Sequence, residues 1–193
     1  MSPHTSPVAQ AHEAGLSAAD HTLGFEDAPF ALLEYGDYQC PYCAKAEPKV
    51  RHLVETFGPQ LRFVFRHLPL VELHPHAELA AEATEAAAAQ GKFWAMHRLL
   101  FGAPHHLTLL DLTAHAQSIG LDMNRFHAEM ADCIYTQRVQ EHRRAAALSD
   151  VHTTPTFILN GKLVDISSGF DKLEEAAHAL RSPHTSEKLG RQT

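Results

Sequence analysis

Cys40 and Cys43 stand two residues apart in the segment Tyr35-Gly36-Asp37-Tyr38-Gln39-Cys40-Pro41-Tyr42-Cys43. Two thiols at that spacing can close and reopen a disulfide, because a thiolate on one can attack a mixed disulfide formed on the other. The pair therefore reads as a dithiol redox centre. Within it, Cys40 is the candidate nucleophile and Cys43 the candidate resolving thiol.

The elements around the pair set these roles. Phe30-Ala31-Leu32-Leu33-Glu34-Tyr35 is short and apolar and fits a buried strand. A helical pattern follows through Cys43, Ala44, Ala46, Val50, Leu53, Val54 and Phe57. Cys40 is thus expected at a helix N-terminus, where unpaired N–H groups and the positive end of the helix dipole favour a thiolate. Cys43 lies one turn further in and is more shielded. Two other readings compete: half of a structural zinc site, or two core cysteines that fall close together. Structural zinc takes four ligands, and there is no second Cys-x-x-Cys or Cys-x-x-His pair. Cys133 stands alone in a helical stretch and is expected in the core, where a free cysteine behaves as a small apolar residue.

Further residues extend the pattern. Pro48 falls eight positions after Cys40, inside the helical pattern, where it either kinks the helix or stops it early. Downstream runs Val151-His152-Thr153-Thr154-Pro155-Thr156-Phe157-Ile158-Leu159-Asn160-Gly161. Its Phe157-Ile158-Leu159 reads as a strand, Asn160-Gly161 as a tight hairpin turn, and Lys162-Leu163-Val164 as the returning edge strand.

On these residues the chain resembles the thioredoxin superfamily, and more closely its DsbA-like branch of thiol–disulfide oxidoreductases. The resemblance implies an α/β thioredoxin fold, a central mixed sheet flanked by helices, carrying an all-helical insertion. It implies that Pro155 is a cis proline facing the active-site cysteines, with the Thr154 backbone free to pair with an extended substrate segment. Thr154, Pro155, Pro41 and Tyr42 are then substrate-binding residues. It also gives a role to Glu34, which interrupts the apolar run six positions before Cys40. In DsbA-like proteins an acidic residue at this offset lies beneath the cysteines and exchanges a proton with the buried thiol. A carboxylate in a buried strand is costly unless neutral, paired or at work. The plainer readings are a solvent-facing side chain or an ion pair with a basic residue such as Arg66.

Length and composition agree with one substantial core: 193 residues, 45% of them hydrophobic, and no internal repeat. A single domain is expected over 20–181, with thioredoxin parts at 20–67 and 151–181 and a helical insertion at 68–150. Within the insertion, helical stretches are read from Pro75 to Gln90, Lys92 to Phe101, Thr108 to Ile119, Asp122 to Ala131, and on toward Leu148, with Gly91 and Gly120 as stops and Asp122 as an N-cap. Trp94 and its neighbours Phe93, Met96, Leu99, Leu100 and Phe101 are expected to pack the insertion on the sheet. The polar, Pro/Ser/His-containing ends, 1–19 and 182–193, read as flexible.

The sixteen histidines are read mostly as surface residues; His74-Pro75-His76 and His105-His106 match no ligand spacing, so no metal and no bound cofactor is expected. A net charge of -7 without a basic run argues against nucleic acid, and no stretch is apolar enough to cross a membrane. No secretory leader is visible at Met1-Ser2-Pro3, which favours a cytoplasmic reductase or redox partner, or an extracytoplasmic protein whose leader was removed. The partners implied are proteins bearing disulfides or thiols, with glutathione or another thiol as electron partner. The competing function is a thioredoxin-fold binding module whose cysteines are idle.

Overall fold

The computed structural model describes residues 16–17 and 20–181. The expected flexible ends lie largely outside these residues. The described chain runs β1 (His21–Leu23), β2 (Phe30–Gly36), α1 (Pro41–Phe57), β3 (Leu61–His67), α2 (Ala77–Ala88), α3 (Phe93–Gly102), α4 (Leu109–Ser118), α5 (Met123–Ala131), α6 (Thr136–Leu148), β4 (Thr156–Leu159), β5 (Lys162–Val164) and α7 (Asp171–Arg181).

The five strands form one mixed sheet in the order β1-β3-β2-β4-β5. The β2 and β3 pair is parallel, and the other three pairings are antiparallel. This is a thioredoxin-like fold, with the helices α2 to α6 inserted between β3 and β4. The central strand β2 is buried on both faces, which explains its near-continuous apolar run. Strand alternation sends Leu32 to the large core shared with α1 and the insertion, and sends Leu33 and Tyr35 to a smaller cluster on the opposite face.

Two local devices fix the elements that carry the cysteines. Helix α1 continues unbroken through Pro48, so the early-stop reading does not hold; Val50, Leu53 and Phe57 hold the helix to the sheet beyond the proline. Gly36 ends β2 where a side chain has no room: a Cβ there would lie 2.4 Å from Cε2 of Phe65. The β4–β5 hairpin turns at Asn160 and Gly161, both at positive φ, as the Asn-Gly pair requires. Asn160 also ties the turn to β2, its Oδ1 accepting from Ala31 N at 2.8 Å.

The insertion packs through small residues. Ala80, Ala83, Ala86 and Ala87 of α2 are fully buried, so helices can approach closely there. Asp122 caps α5 as expected, accepting from the backbone N–H of Asn124 and Arg125. Trp94 is only partly buried and donates its indole N–H to Thr22 O at 3.0 Å, while Phe93, Met96, Leu100 and Phe101 fill the core. One expectation fails at the α5–α6 junction. Cys133 is exposed, not in the core, because the chain leaves the helix there with φ 50 and turns its side chain away from the packed face.

Candidate active site

The thiols of Cys40 and Cys43 lie where β2 gives way to α1. Cys40 is the N-cap residue of α1 and Pro41 occupies the first helical position, where its missing N–H costs nothing. The approach is organised by Asp37, which is buried at 2% exposure. Its carboxylate accepts from Gln39 N at 2.7 Å, Leu70 N at 2.9 Å and His74 Nδ1 at 2.8 Å. Its carbonyl accepts from Cys40 N at 3.1 Å. Sequence reasoning missed Asp37; the available signal was an acidic residue in the loop just ahead of a helix start.

The two thiols are driven apart electrostatically. The Cys40 thiol is lowered from its ordinary value to about 5, first by a hydrogen bond from Cys43, then by Thr154 and by the backbone N–H groups of Cys43 and Tyr42 working against its own desolvation. Cys43, completely buried, is raised well above the ordinary thiol value, chiefly by burial and by donating to Cys40. One turn of helix thus separates a stabilised thiolate from a shielded thiol.

The peptide bond between Thr154 and Pro155 is cis, as the resemblance implied. It lies against the cysteines: Cys40 Sγ donates to the Thr154 carbonyl at 3.4 Å. The Thr154 hydroxyl is buried and has no partner among the described residues. Pro41 and Tyr42 are exposed beside the thiols, with Lys45 Nζ lying 5.6 Å from the centre of the Tyr42 ring.

Glu34 is 2% exposed, so the solvent-facing reading of this residue is wrong. The ion pair with Arg66 is absent too, and the register gives the reason. Glu34 sits opposite Phe65, whereas Arg66 sits opposite Tyr35 and points to the other face of the sheet. There Arg66 makes a two-pronged contact with Asp20 at 2.9 and 2.7 Å. Glu34 Oε1 has no hydrogen-bond partner among the described residues. Its carboxyl is pushed up to about 8 by burial, with smaller contributions from Glu47 and Cys40. A cavity of about 320 Å³ runs from Glu34 past Val50 and Trp94 to Glu47 and Arg51. Glu47 is a second carboxylate that sequence reasoning missed; it lies one helical turn beyond Cys43, a spacing that shares its face of α1.

The histidines are not all superficial, because His67, His97 and His142 are buried. Small and aromatic neighbours from the insertion cover them: His97 stacks with Phe93 at 5.8 Å and accepts or donates to Tyr38 Oη at 3.1 Å.

The chain is similar to proteins of two kinds. It is 47% identical over 143 residues to the Na(+)/H(+) antiporter NhaA 1 of Salinispora arenicola, a match covering 74% of this chain and 22% of the antiporter. The match to NhaA of Herminiimonas arsenicoxydans is 42% identical over 143 residues, again 74% and 22%. The chain therefore spans about a fifth of the length of these curated relatives. Among solved structures, a thioredoxin-like oxidoreductase from Silicibacter pomeroyi superposes with a TM-score of 0.75 at 26% identity, covering 92% of this chain and 98% of that one. BdbD from Bacillus subtilis, in its oxidised form, superposes with a TM-score of 0.74 at 21% identity, covering 88% and 95%. A family model described as thioredoxin matches residues 17–179, so the chain belongs to the thioredoxin family and has the fold of its DsbA-like members.

Proposed function

We propose that this chain is a thiol–disulfide oxidoreductase cycling Cys40 and Cys43 between dithiol and disulfide. The observation that carries the reading is the Cys40 thiol at the start of α1, facing the Thr154 carbonyl at 3.4 Å with Cys43 buried behind it. An idle binding module has no use for a thiol held largely ionised at neutral pH.

In the reducing direction the Cys40 thiolate attacks one sulfur of a substrate disulfide. The substrate S–S bond breaks, a mixed disulfide forms, and the departing sulfur leaves with the bonding electron pair and takes up a proton. Cys43 then loses its proton, attacks the Cys40 sulfur and closes the internal disulfide as the second substrate sulfur leaves. Two of the influences that hold the Cys43 proton, the hydrogen bond to Cys40 and the Cys40 charge, vanish once Cys40 is a neutral mixed disulfide. The remaining proton needs a base inside the fold. Glu34 fills that role once its own proton has left: the Cys40 charge that helps hold that proton is gone in the mixed disulfide, and the ionised carboxylate, with its raised pKa, is a stronger base than an ordinary glutamate. The cavity toward Glu47 and Arg51 gives that proton a way to solvent. Read backward, the same steps donate a disulfide.

Substrates are proteins that carry a disulfide or thiol, with glutathione or another small thiol as electron partner. Thr154 presents backbone to an extended substrate segment, and Pro41 and Tyr42 form the exposed rim. The antiporter relatives suggest that this redox unit also serves within a larger transport protein. No helix among the described residues is long and apolar enough to cross a membrane.

The test is the reduction potential of the Cys40–Cys43 pair, titrated in glutathione buffers and read by alkylation and mass spectrometry. A potential of about -120 to -180 mV marks an oxidant or isomerase suited to an extracytoplasmic compartment, and one at or below about -220 mV a cytoplasmic reductase. A pair that forms no disulfide at any potential overturns the reading.

A further inference from the structure

Away from the cysteines, three side chains from three separate elements converge on one point. His21 from β1 and His67 from the end of β3 both bring Nε2 to the same oxygen of Glu85 on α2, each at 2.8 Å. The three atoms all lie within 4.8 Å of one another. We propose that His21, His67 and Glu85 form a binding site for a divalent transition metal of the zinc type, which staples the edge strand and the helical insertion to the sheet.

The geometry is that of a ligand set. Zinc binds imidazole nitrogen and carboxylate oxygen at about 2.0–2.2 Å, so neighbouring ligand atoms in a tetrahedral shell stand roughly 3.3 Å apart. The observed spacing needs only a small outward shift to admit the ion. Two histidines and one carboxylate are also a familiar zinc donor set that leaves a position for water. The rings are already oriented. His21 stacks on Phe93 with centroids 3.6 Å apart and planes 12° off parallel, and His67 stands edge-on to Phe65.

The environment fits as well. His67 and Glu85 are buried, while the His21 side chain keeps 15% of its surface exposed, which gives an ion a way in. Glu85 supplies one negative charge against a dication. Arg138, which also influences His67, opposes it, so the site should favour an ion that gains strongly from imidazole, such as zinc, over magnesium or calcium. When the ion binds, each histidine coordinates through the Nε2 lone pair, and its proton moves to Nδ1, which on His67 is buried with no hydrogen-bond partner among the described residues and so costs part of the binding energy. No co-reactant is consumed.

The experiment uses the whole chain with Cys40→Ser, Cys43→Ser and Cys133→Ser, since the thiols would bind zinc themselves. Zinc and, in parallel, cobalt are titrated by calorimetry and by the visible d–d band of cobalt. The expected result is one ion per chain with a raised thermal midpoint. His21→Ala, at the accessible edge, should weaken binding at least tenfold while leaving the circular dichroism unchanged. Glu85→Gln should do the same, and His105→Ala with His106→Ala should change nothing. Failure of the thiol-free chain to bind, or binding equally strong in His21→Ala, overturns the proposal. Neither outcome touches the redox reading, which rests on different residues.

Discussion

Cys40 and Thr154, 114 residues apart in sequence, meet at 3.4 Å through the thiol of one and the carbonyl of the other. The Thr154 hydroxyl, buried without a partner among the described residues, is placed to stabilise the Cys40 thiolate once the proton has gone. Thr154→Val keeps the side-chain shape and removes that donor. A hydrogen bond to a charged group contributes about 1.5–3 kcal/mol, so the Cys40 pKa should rise by about one unit or more. Alkylation rate against pH measures it, and an unmoved midpoint would remove the hydroxyl from the account.

Cys40 itself should react rapidly with an alkylating reagent at pH 6, with a rate profile centred near 5. Cys133 is exposed and would report as an ordinary thiol, so the measurement belongs in a Cys133→Ser background. Cys40→Ser should abolish the fast phase. A Cys40 that labels no faster than free cysteine would instead favour the binding module.

The same lowered pKa predicts how the reduced protein's stability depends on pH. The unfolded chain holds the Cys40 proton up to about pH 8.5, the folded chain only to about 5. Between these values the unfolded state binds more protons, so reduced-state stability rises with pH, and the gain is lost on acidification through 5. The disulfide form has no such thiol. The thermal midpoint of the reduced form should therefore fall relative to that of the disulfide form as pH drops from about 8.5 to about 5, and parallel curves would contradict it.

Glu34 acts in the opposite sense. Its carboxyl is raised to about 8, so the folded state holds a proton that the unfolded chain releases near 4.5. Stability from this group falls as pH rises from 4.5 toward 8. Glu34→Gln should stabilise the protein at pH 7 by on the order of 3 kcal/mol, taking 1.36 kcal/mol per unit. It should also slow closure of the internal disulfide from the mixed disulfide. Stabilisation without slower closure would leave Glu34 a structural liability with no catalytic part.

Gly36→Ala tests the junction between β2 and the active-site loop. The added methyl would overlap the Phe65 ring at 2.4 Å, so the ring or strand must shift, at a cost of about 1–3 kcal/mol. Thermal or denaturant unfolding measures the loss. Unchanged stability would show that the Phe65 ring can move freely.

Much of the fold was legible in order along the chain. Strand β2, helix α1, the Asn160-Gly161 hairpin and the insertion helices follow from periodicity, capping and turn chemistry, all of which act over a few residues. Boundaries shifted by a residue or two, as at α2, read from Pro75 to Gln90 and observed at Ala77–Ala88. Cys133 was misplaced because one residue at positive φ ends a helix without any glycine or proline to announce it.

By itself the sequence determined the redox chemistry on offer and its setting: two thiols at helical spacing after a buried strand, with Glu34 in that strand. Only the tertiary structure decided which partners those residues have. Whether Glu34 met Arg66 depended on register, since side chains one position apart on a strand face opposite sides of the sheet. Whether Cys40 met Thr154, or His21 met His67 and Glu85, depended on how distant segments pack. Such contacts leave no local pattern, because they are fixed by the burial of the whole core and not by the residues beside them in the chain.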